Sequence, residues 1–273
     1  MENRRWSLDA KKNTLDSIIS QNKSARLIAR LDVKGPNLIK AVHLEGLRVI
    51  GDPSEFAQKY YSQGADELIY IDLVASLYGR SNLCEIVQAT AQNVFIPITV
   101  GGGIRSIEDA GKLLRAGADK IAINTAGVLR PELISEVAKK YGSQCMVLYI
   151  EAKRKSNGSW EAFTDCARES SGKDAVQWAQ EAQKLGAGEI LITSIDQEGT
   201  KKGYDTSLIK AISNAVKIPV IASGGYGKPA HIDDAVVAGA DALAFADALH
   251  MSGTKFSDLR EIANSFNITV RDT

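Results

Sequence analysis

Residues 96–126 read IPITVGGGIRSIEDAGKLLRAGADKIAINTA, and residues 218–248 read IPVIASGGYGKPAHIDDAVVAGADALAFADA. The two stretches begin 122 residues apart and align without a gap, with Ile-Pro, Gly-Gly and Ala-Gly-Ala-Asp in register. The same offset pairs Gly64-Ala65-Asp66-Glu67 with Gly186-Ala187-Gly188-Glu189. Two such units account for nearly all of the 273 residues beyond the first two dozen. Each half is about half of one closed object, because half-barrels can share a core without being separate domains.

Short apolar runs alternate with amphipathic stretches along the rest of the chain. The runs are Leu27–Leu31, Leu68–Ile71, Ile96–Val100, Ile121–Ile123, Met146–Ile150, Ile190–Ile192, Ile218–Ala222 and Ala242–Ala246. Each is too short for a helix and too uniformly apolar for a sheet with one wet face, which fits parallel strands buried on both sides. Helical periodicity falls between them at Ser106–Ala116, Pro131–Tyr141, Lys173–Leu185, Ser207–Val216 and His231–Ala238. Eight strands alternating with helices predict an α/β fold, a (β/α)8 barrel of two similar halves, over 24–273. An open doubly wound sheet fits less well, since the units are evenly spaced and none reads as an edge strand. Residues 1–23 stand apart as an N-terminal extension. There Trp6, Leu8, Leu15, Ile18 and Ile19 mark either a weak amphipathic helix capping the barrel floor or a frayed polar segment.

Bulk properties narrow the class. Lysine plus arginine equals aspartate plus glutamate at 33 each, so no net field recruits nucleic acid or an anionic membrane. Cys84, Cys145 and Cys166 have neither metal-ligand nor disulfide spacing, pointing to a reducing cytoplasm and to no metal or cofactor. No apolar run approaches a membrane span, and the N-terminus lacks an apolar signal core. His43, His231 and His250 do not cluster in the sequence and receive no catalytic role.

Function in such barrels gathers at the C-terminal strand ends. Asp32 immediately follows the first run and Glu151 the fifth, placing two carboxylates on opposite sides of the mouth. Such a pair suits general acid–base chemistry; the competing expectation is a pair of acids bridged to Lys34 and Lys153. Gly101-Gly102-Gly103 closes the third run and Ser223-Gly224-Gly225 the seventh, while Asn124-Thr125 and Ala246-Asp247 close the fourth and eighth. Glycine lets backbone N–H groups approach an anion closely, so two symmetric turns predict a substrate with a phosphate at each end. At the opposite end Arg26, Glu67, Lys120 and Glu189 each precede a strand run. They form either a salt-bridged plug or a ring that closes an axial passage.

With these residues in place, the chain resembles the cyclase subunit of imidazole glycerol phosphate synthase, from about Arg26 to Arg271. The strings that carry the resemblance include Leu31-Asp32-Val33-Lys34, Thr99-Val100-Gly101-Gly102-Gly103-Ile104, Ile123-Asn124-Thr125, Gly199-Thr200-Lys201 and Ala222-Ser223-Gly224-Gly225. The resemblance implies a glutaminase subunit docked on the N-terminal face of the barrel, sending ammonia along the axis. It implies closure of an imidazole ring on a bis-phosphorylated ribulosyl intermediate. Asp32 matches the catalytic aspartate, and Glu151 the second carboxylate. Lys40 matches a lysine on the mobile loop after strand one. Gly103, Asn124 and Thr125 fall at one phosphate site, and Gly199, Gly224 and Gly225 at the other, with Thr193 among the substrate contacts. The quartet Arg26, Glu67, Lys120 and Glu189 matches an ammonia gate, and Asp119 a partner contact.

The departures gather in the substrate pocket. Glu151 stands where the family has aspartate, Asp247 where it has serine, Cys166 where it has serine and Arg30 where it has cysteine; the loop Gly35–Val49 is also untypical. If Asp247 faces the pocket, its charge about 4 Å from a phosphate costs on the order of 4 kcal/mol per charge pair at an effective dielectric near 20. Helix-end dipoles return only about 0.3–2 kcal/mol. An altered pocket over an intact gate raises two further expectations. One is a paralogue that feeds ammonia, with a glutaminase and an amidotransferase, to amidino-sugar biosynthesis. The other is a non-catalytic module that only activates its glutaminase.

Overall fold

Each apolar run is a strand, and the strands close. A computed structural model describes residues 23–75 and 83–272, leaving the 1–22 part of the extension outside the described residues. The barrel strands are β1 Arg26–Lys34, β2 Glu67–Asp72, β3 Ile98–Gly101 and β4 Lys120–Ile123. They continue as β5 Met146–Arg154, β6 Glu189–Ser194, β7 Val220–Ser223 and β8 Ala242–Phe245. All neighbours pair in parallel; β4 joins the halves by pairing with β5, and β8 returns to β1 with Leu243 opposite Leu27. None of the eight barrel strands is left with an open edge, as the uniformly apolar runs require.

Among the described residues, eight helices of eight or more residues form the outer layer: α1 Pro53–Ser62, α2 Leu83–Ala91, α3 Ile107–Ala116, α4 Glu132–Tyr141, α5 Ala175–Leu185, α6 Thr206–Ala215, α7 Ala230–Val237 and α8 Phe256–Ser265. None is long and apolar enough to cross a membrane. The periodicity begins α5 two residues too early, because Asp174 ends a strand and caps the helix, accepting from Val176 and Gln177 N–H. Runs three and seven lose their leading Ile-Pro, since proline has no N–H for the ladder. Its carbonyl still serves: Pro97 accepts from Leu68 N and Pro219 from Ile190 N, at equivalent places in the two halves.

Side chains alternate along each strand. Leu27, Ala29 and Leu31 of β1 pack outward on the helices, whereas Ile28 faces the barrel interior with Val147, Leu191 and Ile221. Arg30 and Asp32 share the inward face of Ile28. On β5 the inward face holds Val147, Tyr149 and Glu151.

The Gly-Ala-Asp repeat has a local mechanism. The glycine ends a helix in left-handed backbone, with φ of 88° at Gly64, 117° at Gly117 and 105° at Gly239. The alanine is buried, and the aspartate reaches back to the start of the preceding strand. Asp66 accepts from Leu27 N at 2.7 Å, Asp119 from Ile98 N at 2.8 Å and Asp241 from Val220 N at 2.8 Å. The fourth copy, Gly186-Ala187-Gly188, lacks the carboxylate because a Cβ on Gly188 would lie 2.2 Å from the Ser143 carbonyl oxygen. Restoring the repeat with Gly188→Asp is therefore expected to destabilise the fold by about 2–3 kcal/mol, as overpacking does. Urea unfolding of the variant beside the unaltered chain checks this.

Two hairpins, one after β1 and one after β5, cover the mouth. The stretch read as an untypical loop is a hairpin, Asn37–Val42 paired with Glu45–Gly51; its counterpart pairs Trp160–Thr164 with Glu169–Asp174. The first turns at His43 and Leu44, with φ of 51° and 63°. The second turns through Asp165, Cys166 and Ala167, with φ of 51°, 58° and 60°. Left-handed backbone costs a non-glycine residue about 1–2 kcal/mol, so both tips are held by their contacts. Leu44 is buried in the barrel's interior cluster, and its carbonyl accepts from Cys166 Sγ at 3.7 Å. These residues are 122 apart, so the tips are equivalent positions of the two halves meeting over the mouth.

Candidate active site and axial gate

The four residues that precede strand runs meet at the barrel floor. Arg26 donates to Glu67 and Glu189, each at 2.5 Å, and Lys120 reaches the same two carboxylates at 3.1 and 2.8 Å. The ring is closed, with cations from β1 and β4 and anions from β2 and β6. Glu67 and Glu189 are buried, and a wide concavity lined by Arg26, Lys120, Glu189 and Asp241 opens below them. This closed ring of alternating charge spans the barrel floor and can part only by breaking ion pairs.

At the other end, Arg30 crosses the barrel axis. It starts on β1 and reaches Tyr149 on β5, the strand opposite, with Nη2 3.2 Å from the hydroxyl. Nη1 donates to Thr193 Oγ1 on β6 at 2.6 Å and to Ser223 Oγ on β7 at 2.9 Å, while Nε donates to Asp32 Oδ1 at 2.9 Å. Burial opposes the guanidinium charge, and Asp32 leads the charges that outweigh it. The competing pairing of Asp32 with Lys34 does not occur; its partner is Arg30, two residues away on the same face.

Glu151 is also buried, without a lysine. It accepts from Tyr149 Oη at 3.1 Å, Asn124 Nδ2 at 3.1 Å and Ala167 N at 2.9 Å. Burial pushes its carboxyl up to about 7 against the lowering effect of the Ala167 and Tyr149 donors and of the Arg30 charge, and the nearby Asp32 adds to the rise. An acid near neutrality can both give and take a proton at working pH. Asp32, Arg30, Tyr149 and Glu151 thus form one connected chain of hydrogen bonds. Thr193, expected among substrate contacts, lies fully buried beneath it.

The two halves of the mouth differ. Gly102, Gly103, Asn124 and Thr125 line a cavity of about 450 Å³ that reaches Tyr149 and Glu151. Asn124 donates to Glu151 and to Phe163 O, both acceptors, which fixes its amide and leaves Oδ1 without a partner among the described residues. At the equivalent place in the second half, Gly199, Gly224, Gly225 and Asp247 line a space of about 20 Å³. Glu198 fills it: a Cβ on Gly224 would stand 3.0 Å from Glu198 Oε2. Lys40 is buried with Glu198 at 2.8 Å, and Asp247 lies 2.9 Å from Lys201. The glycines serve packing at both turns, since a Cβ on Gly102 would lie 2.3 Å from Asp72 O and one on Gly225 2.0 Å from Gly203 O. Asp119 stands at the floor with its exposed side chain clamping β3.

Sequence reasoning missed Tyr149, Ser223 and Glu198, and took Arg30 only as a departure. Glu198 immediately precedes Gly199, a position from which a side chain can fill the glycine turn. Both ring nitrogens of His250 are engaged: Nε2 meets the Arg30 carbonyl at 3.1 Å and Nδ1 the Tyr60 hydroxyl at 2.6 Å. A carbonyl only accepts, so the proton sits on Nε2, and burial lowers the ring to about 4.

A family model described as histidine biosynthesis protein matches residues 26–255. The imidazole glycerol phosphate synthase subunit HisF of Legionella pneumophila is 68% identical over 205 residues, 75% of this chain and 97% of that protein. The HisF subunit of Streptomyces avermitilis is 46% identical over 248 residues, covering 91% of this chain and 99% of its own. That of Thermobifida fusca is 48% identical over 242 residues, with 87% and 94% covered.

Glu151 gives the site a pH signature in stability. Its folded value of about 7 lies above the ordinary 4.5, so its contribution is full below pH 4.5 and lost as pH rises through 7. Glu151→Gln removes that loss. Relative to the unaltered chain, the variant is expected to gain up to about 3 kcal/mol between pH 4.5 and 8, read by urea unfolding at both ends. A pH-independent difference would refute the assignment.

Proposed function

Because the chain belongs to the histidine biosynthesis protein family, with HisF subunits as relatives over most of its length, we propose that it is the ammonia-using cyclase-type subunit of a glutamine-dependent synthase. The observation that carries this reading is the closed floor quartet aligned below a buried carboxylate. A glutaminase subunit docks on the barrel floor, where Asp119 is exposed, and releases ammonia beneath the ring. The ring opens by exchanging ion pairs, and ammonia travels through the apolar interior of Ile28, Val147, Leu191 and Ile221. An uncharged molecule crosses such a lining more easily than ammonium, whose desolvation is costly.

At the mouth, the ammonia nitrogen attacks a carbon of the acceptor held in the first-half cavity. Glu151 is the general acid–base group: as carboxylate it takes a proton from the attacking nitrogen, and as carboxylic acid it returns one to the departing oxygen. Asp32 keeps Arg30 charged and fixed across the axis. Arg30 in turn orients Tyr149, whose hydroxyl bonds Glu151. For the reaction that the resemblance implies, ring closure on a bis-phosphorylated ribulosyl intermediate, both glycine turns would hold phosphate. A second reading keeps the ammonia supply but changes the acceptor, and the filled second turn favours it.

The test separates supply from acceptor. Adding the chain to its glutaminase is expected to raise glutamine hydrolysis, and Lys120→Ala to weaken the coupling between hydrolysis and ammonia delivery. A glutaminase indifferent to the chain would overturn the proposal. With activation established, turnover of the bis-phosphorylated intermediate in ammonium identifies the first reading, and its absence the second.

A further inference from the structure

Arg30 carries a donor that the rest of the chain does not use. A guanidinium has five N–H bonds to donate. Nε gives its one to Asp32 Oδ1, Nη1 gives its two to Thr193 Oγ1 and Ser223 Oγ, and Nη2 gives one to Tyr149 Oη. The second Nη2–H meets no acceptor among the described residues, and at 1% exposure Arg30 has no bulk water to meet instead. A buried donor without an acceptor is destabilising, so the place suits a small ligand with a lone pair.

Position and charge decide which ligand. Nη1 is turned to β6 and β7 of the second half, whereas Nη2 is bonded to Tyr149, which lines the open first-half cavity. Beneath the guanidinium lie Ile28, Val147, Leu191 and Ile221, whose side chains offer no hydrogen bond. The free N–H therefore stands where the apolar interior of the barrel gives way to the mouth. Burial opposes the charge of Arg30, and Asp32 leads the groups that outweigh it, so the donor stays cationic. An N–H bonds to a lone pair, which ammonia has and ammonium lacks. Water accepts the same bond with a less basic lone pair, so ammonia displaces it. A cation at hydrogen-bond distance also disfavours adding a proton to the bound nitrogen. That protection matters beside Glu151, whose carboxyl at about 7 otherwise gives its proton to the stronger base.

Resting on the reading of an ammonia-using subunit, we propose that the second Nη2–H of Arg30 is a binding site for neutral ammonia, at the point where it leaves the axial passage. While its lone pair accepts from Nη2, the nitrogen neither attacks a carbon nor takes up a proton. Release into the first-half cavity frees the lone pair next to Glu151, so attack begins only at the acceptor. Arg30 thus binds the nucleophile in addition to bracing Tyr149.

The test uses the full chain with nitrogen-15 arginine and ammonium chloride as probe. One sample is alkaline enough to hold much of the nitrogen as ammonia, and the other acidic enough to hold it as ammonium. Each is read against sodium chloride at the same pH and ionic strength. The Arg30 Nη2–H resonance, assigned by its loss in Arg30→Lys, is expected to move downfield and saturably in the alkaline sample and to stay in place in the acidic one. If Arg30→Lys does not fold, Tyr149→Phe, which removes the other acceptor of Nη2, identifies the nitrogen. Trimethylamine, a lone-pair acceptor too large for so buried a place, is expected to leave the resonance unmoved in the alkaline sample. Movement in the acidic sample, an unsaturable drift, an equal response to trimethylamine or no movement at all overturns the proposal. The titration needs no partner and glutaminase activation needs no added ammonium, so failure of this site is told apart from failure of the ammonia-using reading.

Discussion

A guanidinium in the axis of a closed barrel constrains everything around it. Water cannot solvate Arg30, so acceptors must come from the strands, and they come from four of them: Asp32 on β1, Tyr149 on β5, Thr193 on β6 and Ser223 on β7. An unpaired charge at this depth would cost several kcal/mol. The network therefore ties the two half-barrels together through their centre as well as through their seams. It also divides labour between the carboxylates. One is committed to holding a cation, and the other is left near neutrality by burial.

Both ends of the axis follow the same rule with different outcomes. At the floor, two cations and two anions from four strands close a ring that faces a broad concavity. At the mouth, the charges are unequal and the halves have diverged. The duplicated backbone still places a glycine turn after β3 and another after β7, but one half keeps space and the other has filled it with its own side chains. Symmetry of the main chain has outlived symmetry of the chemistry.

The barrel was legible because uniformly apolar runs leave no wet face for an open sheet, and the 122-residue offset supplied the closure. The floor quartet was equally plain, since each member sits just before a run. Asp32 and Glu151 were found from strand ends. Their partners were not, because Tyr149, Thr193 and Ser223 lie on other strands and meet Arg30 only when the barrel forms. One clue stood in the sequence: Ile28, Arg30 and Asp32 share a period of two, so an inward Asp32 requires an inward Arg30. The absence of aspartate in Gly186-Ala187-Gly188 could not be read ahead, since its cause is a carbonyl from a turn more than forty residues earlier. Pairing of acids with Lys34 and Lys153 was a fair expectation from proximity in sequence, but those lysines are exposed where the strands leave the barrel.

The meeting of Leu44 and Cys166 over the mouth has an energetic meaning. Each hairpin tip adopts backbone that its own residues disfavour, and each is braced partly by the other. Neither can lift without withdrawing support from its twin. The two tips are thus energetically coupled, because the contact that holds one hairpin over the mouth also holds the other.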